Sequence, residues 1–119
     1  MKEIIKIGKN EYTIKSSAYT QFKYKDFTGR RMLDDIQQVA NIGNLSSEEQ
    51  ISKIEDVIDL LLKLVYVMIE EADNTQVVNY EEFLKSIDSI FDEVEWITKV
   101  IQVATAPFSG GIQTIPQNQ

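Results

Sequence analysis

The stretch Ser46–Asp73, SSEEQISKIEDVIDLLLKLVYVMIEEAD, decides the fold. Ile51, Ile54, Ile58, Leu61, Leu62, Val65 and Ile69 recur at spacings of three and four, which is one face of a helix. Ser46 and Glu49 fit a capping box, with the Ser accepting the N3 backbone N–H and the Glu reaching back to the cap. From Val57 to Ile69 only Asp59 and Lys63 break an apolar run. A helix that is apolar most of the way round has to be surrounded by other elements. The run is shorter than the ~20 apolar residues that span a bilayer, and it contains two charges, so it reads as a central core helix.

Towards the N-terminus, Ile5 and Ile7 alternate within Glu3–Ile7, and Tyr12 and Ile14 alternate within Glu11–Lys15. Gly8-Lys9-Asn10 between them is a turn signal, so the two runs read as a β-hairpin. Two strands alone are marginal in water, and the hairpin is expected to dock on helices or to pair with another sheet. Ser16-Ser17 offers a cap for a helix with a wide aromatic face, Ala18, Tyr19, Phe22 and Phe27, stopped by a left-handed Gly29. Arg30-Arg31 open a second short helix with Leu33, Ile36, Val39 and Ala40 inward, closed by Asn41, Gly43 and Asn44.

Towards the C-terminus, Asn79 is a helix cap with Glu82 at the third position, and Tyr80, Phe83, Leu84 and Ile87 form a buried stripe. The pattern continues through Phe91, Val94, Ile97, Val100, Ile101 and Ala104, with a break or kink expected at Asp88-Ser89. Pro107 is expected to stop the last helix, leaving residues 107–119 as a flexible tail of low charge. The fold class is α+β, mainly α. One domain is expected over residues 1–106, with a hairpin over 1–15 and a four- to five-helix body over 17–106.

The chain of 119 residues is long enough to bury a core without staples. It contains no Cys, which excludes disulfides and thiolate metal sites, and no His, the commonest general base and metal ligand. No secretory apolar region follows Met1 and no run is long enough to span a membrane, so a soluble cytoplasmic protein is expected. A net charge of −7 argues against nucleic acid as a partner. The charge is uneven, +5 over residues 1–31 and −12 over the rest. Both regions read as solvated faces. Alternatively, they drive head-to-tail self-association, with hairpins pairing edge to edge.

The carboxylate pairs Glu48/Glu49, Glu70/Glu71 and Glu81/Glu82 are sequence neighbours, which do not face each other on a helix. No phosphate-cradling Gly-rich loop is present, and the chain does not read as an enzyme or as a cofactor binder. Residues 71–82 imitate a calcium loop, with Asp73 third and Glu82 twelfth, but Glu71 stands first, Thr75 fifth, and Gln76 replaces the sixth-position Gly. A helix cap at Asn79 explains the same pair without metal. Trp96 falls off the main stripe of the last helix, either at the edge of the core or as an exposed anchor for a partner.

Ser17-Ala18-Tyr19 followed by Tyr24-Lys25-Asp26-Phe27-Thr28-Gly29-Arg30-Arg31-Met32-Leu33-Asp34-Asp35-Ile36 resembles the tail assembly chaperones of siphophages and prophages of Gram-positive bacteria. Those are small acidic proteins with a short strand pair, an aromatic stretch ending in a Phe–Gly–Arg-like turn, and a helical body. The resemblance extends to the helix starting at Asn79 and to Phe108-Ser109-Gly110-Gly111. It implies binding of the tape-measure protein, recruitment of tail-tube protein, action in the host cytoplasm and absence from the mature virion. Many such chaperones also exist in a longer, frameshifted form. The residues expected to meet a partner are Tyr19, Phe22, Tyr24, Phe27, Arg30, Trp96 and Val100, with Trp96 or Tyr24 expected to stay solvent-reachable. The competing readings are a small acidic adaptor with a degenerate calcium loop and a structural tail or head-completion subunit.

Overall fold

Between Leu61 and Ile69 every side chain except Lys63 is buried, and the other elements are arranged to bury them. The computed structural model describes residues 1–41, 47–90 and 95–114. Strands β1 (Lys2–Ile7) and β2 (Asn10–Lys15) form an antiparallel hairpin, with Ile5 opposite Tyr12 and Ile7 opposite Asn10. Among the described residues five helices follow: α1 (Thr20–Thr28), α2 (Met32–Asn41), α3 (Ser47–Ala72), α4 (Tyr80–Ser86) and α5 (Glu95–Thr114). β2 lies along α3 and β1 along α5, while α1 and α2 cover another side of α3. The fold is mainly helical, as the periodicities predict.

The hairpin is supported by docking on helices. Ile5, Ile7, Tyr12 and Ile14 are all buried against them. The turn residue Gly8 has φ of 61°, the positive value that a two-residue hairpin loop of the II′ kind requires at its first position. Gly8 also lies against the link after α4, where an added Cβ would fall 2.9 Å from the Ser89 carbonyl oxygen and against Asp88 Oδ1. Asn10 Nδ2 donates to the Ser86 carbonyl at 2.6 Å, and the Tyr12 hydroxyl and Ser86 Oγ share a bond of 2.8 Å.

Several helix faces differ from the sequence expectation. In α2 the inward residues are Met32, Asp35, Ile36 and Val39, whereas Leu33 and Ala40 are exposed. The spacing Met32, Ile36, Val39 sets the phase, and it rotates Leu33 outward and Asp35 inward. In α4 only Phe83 is fully buried. Tyr80 is half-buried, and the short helix turns Leu84 out to 39% exposure. The helix does break after Ser86, with irregular backbone over Ile87–Ile90. That break resets the phase of α5, which buries Trp96, Val100, Val103 and Ala104 and leaves Ile97 and Ile101 half-buried. The Trp96 indole Nε1 donates to the Ile90 carbonyl at 3.1 Å.

Pro107 does not end the last helix, as α5 continues through it to Thr114. Proline removes one amide donor, a loss of about 3 kcal/mol in a free helix interior. Here the helix is held on both sides of the loss, by buried Val103 and Ala104 before it and by Phe108, which packs on the core after it. Residues 107–114 of the expected tail are therefore helical. The Ser46–Glu49 capping box, Gly43 and Asn44, Phe91 and Val94, the side chains of Ile51 and Ile54, and residues 115–119 lie outside the described residues.

Leu61, Leu62, Val65 and Ile69 are buried as the helical face predicts. Leu62→Ala should therefore destabilise the fold by about 2–5 kcal/mol, the usual range for emptying a core position. Chemical denaturation measures it; a loss under about 1 kcal/mol would be that of a surface change and would contradict this packing.

Candidate interaction surface

The corner between α1 and α2 combines a rigid polar interior with an apolar exterior. α1 ends at Gly29, whose φ of 73° is left-handed and whose N–H donates to the Lys25 carbonyl at 2.7 Å. Thr28 Oγ1 donates to the Tyr24 carbonyl at 2.8 Å and accepts the Arg30 N–H at 3.0 Å. The turn is thus fixed by its own side chains. It delivers Arg30 to the Asp35 carboxylate in a forked pair, Nε to both oxygens at 3.0 Å and Nη2 to Oδ1 at 2.6 Å. The buried Tyr24 hydroxyl donates to Asp35 Oδ2 at 2.7 Å.

Asp35 is a nearly inaccessible carboxylate, and a buried charge persists only where it is paired and hydrogen-bonded. Burial, then the Asp35 bond and charge, push the Tyr24 phenol far above its ordinary value. The bonds to Asp35 and its charge likewise hold the Arg30 guanidinium above its ordinary range. A second set of ties joins the start of α1 to the end of α3. Glu71 accepts from Ser17 Oγ and Thr20 Oγ1, both at 2.6 Å, and Glu70 meets Tyr66 at 2.9 Å and Lys23 at 3.3 Å.

Thr20 and Tyr24 face in, whereas Tyr19 before them and Phe22 between them face out. Tyr19 is 61% exposed and Phe22 64%, and Leu33 on α2 joins them at 44%. Phe22 and Leu33 line one cleft of about 190 Å³ with Met32, edged by Lys25 and Arg31. That volume is below the range for a small-molecule site, and it suits a protruding side chain. Phe27 lies at the rim of a separate aromatic cluster, 5.3 Å from the Tyr66 ring and 5.5 Å from the Tyr80 ring.

The expected partner-binding residues therefore divide. Tyr19, Phe22 and Phe27 are reachable, and Arg30 is half-exposed but spent on Asp35. Tyr24, Trp96 and Val100 are core residues at 1%, 2% and 0% exposure, so neither Tyr24 nor Trp96 is the solvent-reachable aromatic that was expected. Tyr24 is held in by the Asp35 bond and Trp96 by the reset phase of α5. Leu33 was missed as a surface residue, and Asp35 as a buried one. A helical phase drawn through Met32 instead of Leu33 would have found both.

The groups of the calcium-like loop have other partners. Asp73 Oδ1 accepts the Thr75 N–H at 2.9 Å and its hydroxyl at 2.6 Å, bonds that hold the carboxyl below the usual range. Asn79 Oδ1 accepts the Glu82 N–H at 2.8 Å, the cap that the sequence suggests. Glu71 is occupied by Ser17 and Thr20. Among the described residues no group of acidic side chains is gathered as a metal site would need. No described helix is long and apolar enough to cross a membrane.

Comparison with family models, curated proteins and solved structures finds no match to this chain.

Tyr24→Phe removes a bond to a charged acceptor and should cost about 1.5–3 kcal/mol at neutral pH, read by urea denaturation. An alkaline transition follows from two further phenols, the buried Tyr66 and the half-buried Tyr80. Burial and the Glu70 bond push Tyr66 up to about 12, and burial and the Asp59 charge push Tyr80 up to about 12. A phenol raised in the folded state contributes its full stability below the unfolded value of about 10. That contribution should then be lost as pH rises through about 12, with tyrosinate absorbance and loss of helix appearing together.

Proposed function

We propose that this chain is a phage tail assembly chaperone of the kind made by siphophages and prophages of Gram-positive bacteria. In this reading it binds the tape-measure protein in the host cytoplasm, helps recruit tail-tube subunits, and leaves before the virion is complete. One observation carries the reading: the exposed Phe22 and Leu33 flank a single cleft between two cationic side chains. The same segment, Ser17 to Ile36, bears the resemblance to that family. A holder of long helical clients needs an apolar docking patch that does not cause its own aggregation. A patch confined to one corner of a chain with net charge −7 meets that need, because like-charge repulsion between loaded complexes opposes their association.

The client in this reading is a helix whose apolar side chains enter the cleft one at a time, with acidic neighbours meeting Lys25 and Arg31. Phe22→Ala and Leu33→Ala should each weaken capture of the tape-measure protein by about tenfold, the loss expected for a central interface anchor. Val78→Ala, at a still more exposed apolar residue between α3 and α4, should leave capture unchanged. Co-expression followed by pull-down measures this. A tape-measure protein that is equally soluble with and without the chain, and never co-purifies with it, would refute the proposal.

A further inference from the structure

The two edges of the hairpin differ in a way that points to a partner. The Ser16 N–H donates to the Met1 carbonyl at 2.8 Å, and the Met1 amino group donates back to the Ser16 carbonyl at 3.0 Å. By the alternation of an antiparallel ladder, Tyr12 and Ile14 then bond towards β1, and Glu11, Thr13 and Lys15 turn their backbone groups outward. The same alternation turns Lys2, Ile4 and Lys6 outward on β1. Two β1 edges pairing about Ile4 would set Lys2 against Lys6 at both ends, and like charges placed opposite each other are repulsive. Lys99 Nζ also donates to the Ile4 carbonyl at 3.3 Å, so this edge is guarded by lysines.

The β2 edge has the opposite character. If Thr13 is set opposite Thr13 of a second copy, Glu11 meets Lys15 of that copy at each end, all on outward-bonding positions and all on the solvent face. Neither Glu11 nor Lys15 has an ion-pair partner among the described residues. One side chain occupies this edge in the single chain. Gln76 Oε1 accepts the Thr13 N–H at 2.8 Å, and Gln76 Nε2 donates to the Thr13 carbonyl at 2.9 Å, reproducing one rung of a strand. Open grooves lie on either side of Gln76, about 620 Å³ towards Glu11 and about 490 Å³ towards Lys2.

We propose that two copies of this chain pair antiparallel along β2 about Thr13, the incoming strand displacing the Gln76 amide. The product is a two-fold symmetric, four-stranded sheet in the order β1-β2-β2-β1, with a Glu11–Lys15 pair at each end of the junction. The pairing does not depend on the client proposed above.

Sedimentation velocity of the full chain over a range of concentrations tests it. The wild type should show a reversible monomer–dimer equilibrium, and Gln76→Ala should tighten it by about tenfold. Glu11→Lys and Lys15→Glu each place like charges opposite at both ends, and each should weaken dimerisation by about tenfold or more. Both residues are exposed, so circular dichroism should be unchanged in these variants. An equimolar mixture of the two variants should dimerise again, because an edge with lysine at both positions then faces one with glutamate at both. A wild type that is monomeric at every concentration overturns the proposal, as does a dimer indifferent to both charge reversals and to their mixing.

Discussion

The absence of a polar face on α3 between Leu61 and Ile69 is the constraint on which the structure depends. An amphipathic helix can rest against a single layer, but this one has to be enclosed. The hairpin, the α1–α2 pair and α5 each take a different side of it. The hairpin is short because its task is to supply one apolar surface, Ile5, Ile7, Tyr12 and Ile14, to a helix that already defines the centre. The two charges in the apolar run are accommodated at its margin. Lys63 meets Asp59 at 3.1 Å, one turn back along the helix surface.

Much of this was legible in the chain. Strong periodicity marked the hairpin and α3, and local turn chemistry marked Gly8, Gly29 and Asn79. The errors came where a helix is short and several phases compete. Met32 and Leu33 are adjacent, and a phase drawn through Leu33 gives no sign that Asp35 is buried. In α5 the phase was carried across a break that resets it, which misplaced Trp96. The Tyr24–Asp35–Arg30 network was not legible, because pairing a buried carboxylate with its donors depends on how α1 and α2 cross. Pro107 was read by a local rule that burial on both sides of it overrides.

That network also explains how a small corner can present apolar side chains without collapsing around them. Phe22 and Leu33 would gain by folding inward, but the inward positions of both helices are held by hydrogen-bonded groups. The charge asymmetry of the chain is partly settled internally in the same way. Lys23 of the basic region meets Glu70 of the acidic one, and Lys9 approaches Asp88 at 3.8 Å. Exposed pairs of the latter kind contribute little, whereas the buried carboxylate fixes a single arrangement.

The contacts that seat the hairpin have a consequence for synthesis. Asn10 reaches Ser86, Lys9 reaches Asp88, and Lys99 reaches Ile4, across sequence separations of 76, 79 and 95. Such non-local closures slow folding, because the loop entropy is lost before the contacts form. The first fifteen residues leave the ribosome long before the residues that complete their seat. During that interval Ile5, Ile7 and Ile14 have only nascent neighbours, and the order of translation sets how long an apolar ribbon remains uncovered.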